Sequence, residues 1–275
     1  MSISHFRPLG GDTVYGSLYG KGSIIMAVNV RYTRGIARGI MRAAKDTSSP
    51  IIFEMARSES DLSGGYTGMT PKDYHDEIVK AASEVGYEFY VVHADHISIK
   101  KGDEEDLRRT RELIAHQIEA GYTSFAIDAS HLFDIKGRDL KEELRENIRC
   151  TTEMALFIKE KMGSKGFGLE VEVGEIGKTD ASGRVLTSPE EAVTFLRSLK
   201  ENGVDPHLLA IANGSAHGNT FDEKGGLLPQ VSIDLARTKE VISAIKRADL
   251  KVGIAQHGIT GTPRDQIAMH FPKGD

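Results

Sequence analysis

The sequence predicts an α/β protein of the closed (β/α)8, TIM-type barrel class, folded as one domain over residues 1–275. Three observations predict it. Short β-rich runs alternate with segments of helical period along the whole chain. Polar and titratable residues gather where those runs end, which is where barrel enzymes carry their chemistry. The first run ends "AVNVRYTRG", without the Gly-rich phosphate turn that usually marks the rival architecture, an open doubly wound sheet.

The strand runs, in order, are "SIIMAVNV" (Ser23 to Val30), "PIIFEM" from Pro50, "EFYVVH" from Glu88, "SFAID" from Ser124, "GLEVEV" from Gly168, "LLAIA" from Leu208 and "KVGIAQ" from Lys251. Helical stripes lie between them. Ile36, Ile40 and Ala43 fall on one face, as do Leu107, Ile114 and Ile118. Leu144, Ile148, Ala155, Ile158 and Met162 form a third stripe, and Ala192, Phe195, Leu196 and Leu199 a fourth. Pro71 and Pro189, each behind a Thr or Ser, read as first-turn prolines after an N-cap. Gly86, Gly121 and Gly203 read as left-handed C-caps. Repeated strand-helix units of this kind favour a parallel sheet with helices outside it. A closed barrel also wants an eighth strand; the spacing puts its start where the chain stops, after "AMHFPKGD", so that strand is expected to be missing here.

Composition excludes several classes. The net charge of −5 argues neither for nucleic-acid binding nor for an acidic disordered tail. No apolar stretch reaches the roughly 18 residues of a membrane span. The start "MSISHFRPLGGDT" does not read as a signal peptide. Cys150, in the helical run "RENIRCTTEMALFIKEKM", reads as a buried thiol with no internal disulfide, in keeping with a reducing cytoplasm. Two Gly/Ser-rich loops follow strands, Arg57 to Thr70 and Gly174 to Ser188; they read equally as mobile lids or plain surface loops.

Three histidines close strands: His96, His217 and His257. Three imidazoles on one rim make a zinc site that leaves positions open for substrate, and such a set also tolerates cobalt or iron. Asp95, beside His96, is a candidate general base or, alternatively, a partner that orients a ligand. The two can share a face only if the chain bends there. Glu170 and Glu172 share one face of the "LEVEVGEIG" strand; if buried they need a cation, an arginine or a lysine, and otherwise they are exposed strand-end carboxylates. "ANGSAHGN" (Gly214, Ser215, Gly218) and "HGITGTP" (Gly258, Thr260, Gly261) offer small residues whose backbone N–H groups can approach a phosphate, the second leading into a helix near Pro263.

Taken together, these stretches resemble the class II, metal-dependent fructose-bisphosphate aldolases from Asn29 to about Ile267. "HADH" resembles the family's H-x-D-H, "IDASHL…LRENI" its I-D-x-S…E-N-I, and "LEVEVGEIG" its E-x-E-x-G-x-x-G. "AIANGSAHG" resembles A-x-G-x-x-H-G and "QHGITG" resembles H-G-G-S-G. The resemblance implies reversible cleavage of a ketose bisphosphate, fructose 1,6-bisphosphate above all, to dihydroxyacetone phosphate and glyceraldehyde 3-phosphate in glycolysis and gluconeogenesis. It implies Zn2+ on His96, His217 and His257, a second cation near Asp128 and Glu172, Asp95 as acid/base on the C4 hydroxyl, and Asn29 on the substrate side. It implies a phosphate held at Gly258, Thr260 and Gly261, assisted by Gly214 and Ser215, and a cytoplasmic homo-oligomer acting on a small phosphosugar.

The sequence departs from the family at some positions. Gly177-Lys178-Thr179-Asp180 stands where the family often has Gly-Gly-Glu-Glu, leaving Asp180 to return the proton to the enediolate. Ala56 replaces a phosphate-side serine, with Ser58 the nearest substitute, and Ile259 replaces a glycine. Schiff-base aldolase chemistry is disfavoured, because no strand core carries a lysine. A metal-dependent hydrolase would want His-x-His on the first strand, where Asn29 stands instead. Cleavage of another ketose such as tagatose bisphosphate, or a non-catalytic phosphosugar-binding barrel, are the alternatives.

Overall fold

A computed structural model describes residues 6–31, 34–174, 179–180, 183–215, 220–229 and 232–270. In chain order the elements are α1 (Gly11–Leu18), β1 (Met26–Asn29), α2 (Arg34–Asp46), β2 (Ile51–Ala56), α3 (Pro71–Val85), β3 (Tyr90–Ser98), α4 (Glu104–Ala120), β4 (Ser124–Asp128), α5 (Leu140–Glu143) and α6 (Arg145–Met162). There follow β5 (Gly168–Val173), β6 (Thr179–Asp180), β7 (Gly183–Arg184), α7 (Pro189–Glu201), β8 (Leu208–Ile211), β9 (Thr220–Phe221), β10 (Leu227–Leu228), α8 (Leu235–Arg247), β11 (Gly253–Ala255) and α9 (Arg264–His270). All seven strand runs expected from the sequence are strands: β1, β2, β3, β4, β5, β8 and β11. The fold is therefore α/β with a strand set of the expected kind; no eighth member of that set occurs among the described residues. No described helix is long and apolar enough to cross a membrane.

The chain forms two compact units. One comprises the described residues of Met1–Ser17, Ile25–Ile127 and Glu153–Leu169, the other those of Leu18–Ile24, Asp128–Thr152 and Glu170–Asp275. In the first, β1 pairs parallel with β2 and β2 with β3. The register matters, because it sets Asn29 beside Glu54 and Glu54 beside His93. Asp95 lies beside Ala56 in the same register. Parallel neighbours in register project to one side, so these polar groups form a patch on one face of the strands. In the second unit β5 pairs parallel with β8 and β8 with β11. There Glu172 lies beside Ala210, and Ala210 beside Ala255.

The inner strands are mostly apolar on both faces, the signature of parallel strands covered on both sides. Val91, Val92, Phe53, Phe125 and Ile127 are buried in the first unit, and Val171, Val173, Leu209 and Ala210 in the second. The helical stripes of α6 and α7 are buried as the periodicity predicts: Ile148, Ala155, Ile158 and Met162 on one, Ala192, Phe195, Leu196 and Leu199 on the other. Helix α2 corrects the expectation. Its buried face is Ala37, Met41 and Ala44, one residue on from Ile36, Ile40 and Ala43, and Ile36 is exposed. The rotation follows from its neighbour α3: Arg38 pairs with Glu84 at 2.7 Å and Lys45 Nζ donates to the Val85 carbonyl. The small side chains of Ala37 and Ala44 occupy the protected stripe between those anchors.

The helix ends match the sequence signals except at α7, whose C-cap is Asn202, with the left-handed Gly203 one residue beyond it. Thr70 accepts from the Asp73 N–H while the Asp73 carboxylate accepts from the Thr70 N–H, a capping box behind Pro71. Ser188 and Glu191 repeat the arrangement behind Pro189. Gly86 and Gly121 take left-handed conformations with φ of 68° and 106° and close α3 and α4. Replacing Thr70 or Ser188 by alanine should cost about 1 kcal/mol of unfolding free energy each. Denaturant titration of the two variants measures it, and unchanged midpoints would show that the caps contribute nothing.

Candidate metal and acid-base site

Strand β3 carries the stretch "VVHADHIS" and shows how the chain solves the problem of placing two neighbours together. His96 has φ of +44°, a left-handed conformation rare for a residue with a side chain. A regular strand would send Asp95 and His96 to opposite faces; the left-handed residue turns the chain instead. Ligand atoms of Asp95 and His96 consequently lie within 4.8 Å of one another. Non-glycine residues held this way cluster at functional sites, where the surrounding structure sustains the strain.

Beside this turn, Glu54, His93 and Asp95 also bring their ligand atoms within 4.8 Å of each other. His93 is buried and its Nδ1 shares a hydrogen bond of 2.7 Å with Ser124 Oγ. Ser124 in turn shares one of 2.9 Å with the Tyr15 hydroxyl. The column Tyr15–Ser124–His93 passes Gly168, where an added Cβ would sit 2.4 Å from the Tyr15 ring and 2.5 Å from Ser124 Oγ. Only glycine leaves the space. His93 thus has a supporting place, fixed from below, next to Asp95.

The loop after β2 supplies a residue that motif reading missed. Glu59 is buried, and its carboxylate accepts from Asn29 Nδ2, from Arg31 Nε at 2.6 Å, from the Tyr66 hydroxyl at 2.7 Å and from the Ala56 N–H at 2.9 Å. Burial pushes this carboxyl up, but the Ala56 N–H, Tyr66, Asn29 and Arg31 together hold it below the ordinary 4.5. Asn29, expected on the substrate side, is therefore clamped. No sequence pattern marks Glu59, since its donors come from three separate segments.

In the second unit, Asp128 ends β4 and accepts from Ser130 through both its N–H, at 3.1 Å, and its hydroxyl, at 2.7 Å. Ligand oxygens of Asp128 and Glu172 lie within 4.8 Å of one another. Glu170 and Glu172 are both buried. His257 Nε2 stands 2.7 Å from Glu170 Oε1. A carboxylate on one ring nitrogen fixes the imidazole and directs any ligation to Nδ1. Around it, Gln256 Nε2 donates to the His257 carbonyl at 2.7 Å, and Asn213 Nδ2 donates to Gln256 Oε1 at 2.7 Å. Thr187 Oγ1 donates to the Val173 carbonyl and accepts from the Ala212 N–H, tying the ends of β5 and β8.

The small-residue turns have the conformations a close backbone approach requires: Gly214, Gly258 and Gly261 have φ of 86°, 65° and 84°. Ser215 is buried, and its hydroxyl has no hydrogen-bond partner among the described residues. Thr260 is exposed. His217 and Gly218 lie outside the described residues; Asp180 is described only in its backbone, which pairs with Gly183 across β6 and β7. The single thiol, Cys150, is buried.

Comparison with known proteins defines the class first. The fold is that of the fructose-bisphosphate aldolase from Campylobacter jejuni, with a TM-score of 0.67 at 20% identity, covering 98% of this chain and 74% of the other. The family model for class-II fructose-bisphosphate aldolase matches residues 14–274, and the chain belongs to that family. A fructose-bisphosphate aldolase of Giardia intestinalis is 28% identical over 83% of this chain. A 6-phospho-5-dehydro-2-deoxy-D-gluconate aldolase of Bacillus licheniformis is 26% identical over 86%. The chain spans 58% of the first relative's length and 66% of the second's.

Two outcomes follow from this geometry. His96→Gly should be more stable than His96→Ala by about 1 kcal/mol, because only glycine enters the left-handed region without strain; equal melting temperatures would remove the strain argument. Glu59 has a depressed folded pKa, so its contribution to stability is complete above the ordinary 4.5 and is lost as pH falls through the folded value. Glu59→Gln should flatten the acid limb of the stability curve below that pH; an unchanged limb would contradict it.

Proposed function

We propose that this chain carries the reaction of a class II aldolase: reversible cleavage of fructose 1,6-bisphosphate to dihydroxyacetone phosphate and glyceraldehyde 3-phosphate, a step of glycolysis and gluconeogenesis. The observation that carries the reading is the left-handed His96, which turns β3 so that a carboxylate and an imidazole stand together at a strand end. Family membership supports it.

The donor set fits a divalent transition metal. It offers imidazole nitrogens and carboxylate oxygens, with one imidazole already oriented by a buried glutamate, and the only cysteine is buried elsewhere in α6. His96, His217 and His257 would hold Zn2+, and Asp128 with Glu172 a second cation. The bound metal supplies an electrophile for the negative charge that develops on the ketone oxygen. Asp95 takes the C4 hydroxyl proton as the C3–C4 bond breaks, and the electron pair passes to the C2–C3 enediolate. Asp180 returns a proton to C3. Backbone N–H groups of Gly258, Thr260 and Gly261, with Gly214, Ser215 and Gly218, hold one phosphate and keep the reacting carbons in place. Asn29 contacts a sugar hydroxyl. We further propose a cytoplasmic homo-oligomer acting on free phosphosugars.

A second reading keeps the chemistry and changes the sugar. The Bacillus licheniformis relative, named for a different phosphorylated substrate, is nearly as similar as the Giardia one. Tagatose bisphosphate and related ketoses therefore belong in the same assay.

Metal removal should abolish cleavage of fructose 1,6-bisphosphate and Zn2+ should restore it. Asp95→Ala should lower kcat by about 10²–10⁴-fold. Full activity after chelation, or in the Asp95 variant, would refute the mechanism.

A further inference from the structure

We propose that Glu59 is a positioning residue that sets Asn29 and Arg31 as a recognition pair at the end of β1: Asn29 Oδ1 accepts a sugar hydroxyl, and the Arg31 guanidinium takes one phosphate of the substrate. This rests on the aldolase reading for the substrate class, but the geometry behind it is independent.

A carboxylate can only accept hydrogen bonds, so Glu59 forces the Asn29 amide to face it with Nδ2. The other end of the amide is thereby fixed. Asn29 Oδ1 is buried and has no hydrogen-bond partner among the described residues, an acceptor held ready with nothing to accept. Such a group costs free energy unless something pairs with it, and a substrate hydroxyl is the partner its chemistry calls for.

Arg31 is held by one nitrogen alone. Its Nε donates to Glu59 Oε1 and to the Tyr66 hydroxyl, at 2.6 and 2.8 Å. No hydrogen bond among the described residues engages either terminal nitrogen. The side chain is 59% exposed, against 5% for the Glu59 side chain beneath it. The inner edge of the guanidinium is thus anchored while the outer edge, the part that binds phosphate with two parallel N–H groups, faces solvent. Nearby, Ala56 has no hydroxyl to offer a phosphate, and its N–H is already taken by Glu59. The arginine supplies an anion-binding group at this strand end.

The test is calorimetric titration of the metal-loaded protein with hexitol 1,6-bisphosphate, which lacks the ketone and is not cleaved, and with the hexitol 1- and 6-phosphates. Arg31→Met, at an exposed position, should bind the bisphosphate about tenfold or more weakly. It should weaken one monophosphate similarly and leave the other within about twofold. Glu59→Gln should reproduce that selectivity, which a merely structural loss would not. Parent-like affinity of Arg31→Met for the bisphosphate overturns the inference, as does equal weakening of both monophosphates. If Glu59→Gln does not fold, Arg31→Met decides alone. A parent that binds the hexitol bisphosphate but cleaves no ketose overturns the aldolase reading and leaves this pair standing.

Discussion

A carboxylate taken out of water at a strand end must be held by donors or by a cation, and the organisation of this protein follows from that constraint. Asp95, Asp128, Glu59, Glu170 and Glu172 are all buried. Three of them have visible solutions within their own unit. Glu59 collects four donors from three segments, Asp128 folds Ser130 back onto itself, and Glu170 meets His257. Glu172 lies beside Ala210 in register, and its carboxylate comes within 4.8 Å of that of Asp128. Two carboxylates at that separation repel unless a proton or a cation intervenes. This is the physical reason for reading them as a place where positive charge belongs.

The strands were legible because parallel strands covered on both faces read as short unbroken apolar runs, and such runs stop where the polar residues begin. Ser124 to Asp128 and Gly168 to Val173 match their runs end to end. The capped helices were equally plain, since Thr70-Pro71 and Ser188-Pro189 state their own starts. Helix α2 was misread because Ala and Met alternate there with isoleucines, and pattern alone cannot choose between adjacent stripes when a neighbouring helix sets the rotation.

The site was legible where chemistry is written in adjacent letters. His96 beside Asp95 announces itself, and the need for a bend between them follows from strand geometry. The sequence could not show that the bend lies on His96 itself, because no glycine marks the left-handed position. Glu59 and Thr187 stayed hidden for another reason. Their partners are far away in sequence, and an acid in a polar loop or a threonine before a helix looks ordinary until the fold surrounds it. Glu170 was visible as a strand carboxylate that needs a partner if buried, yet its partner His257, 87 residues on, was not.

The column beneath β3 has a consequence of its own. Tyr15, Ser124 and His93 are joined through two buried hydrogen bonds, and each shared proton must lie on one side or the other. A hydroxyl that gives its proton upward must receive one from below. The column therefore has two coherent arrangements, with His93 either accepting or donating at Nδ1, and no mixed one without an unmatched group. The tautomer of a ring next to Asp95 is thus tied to the direction in which a tyrosine on α1 points its proton. The floor of the fold in this way decides whether the remaining ring nitrogen of His93, Nε2, bears a proton or a lone pair.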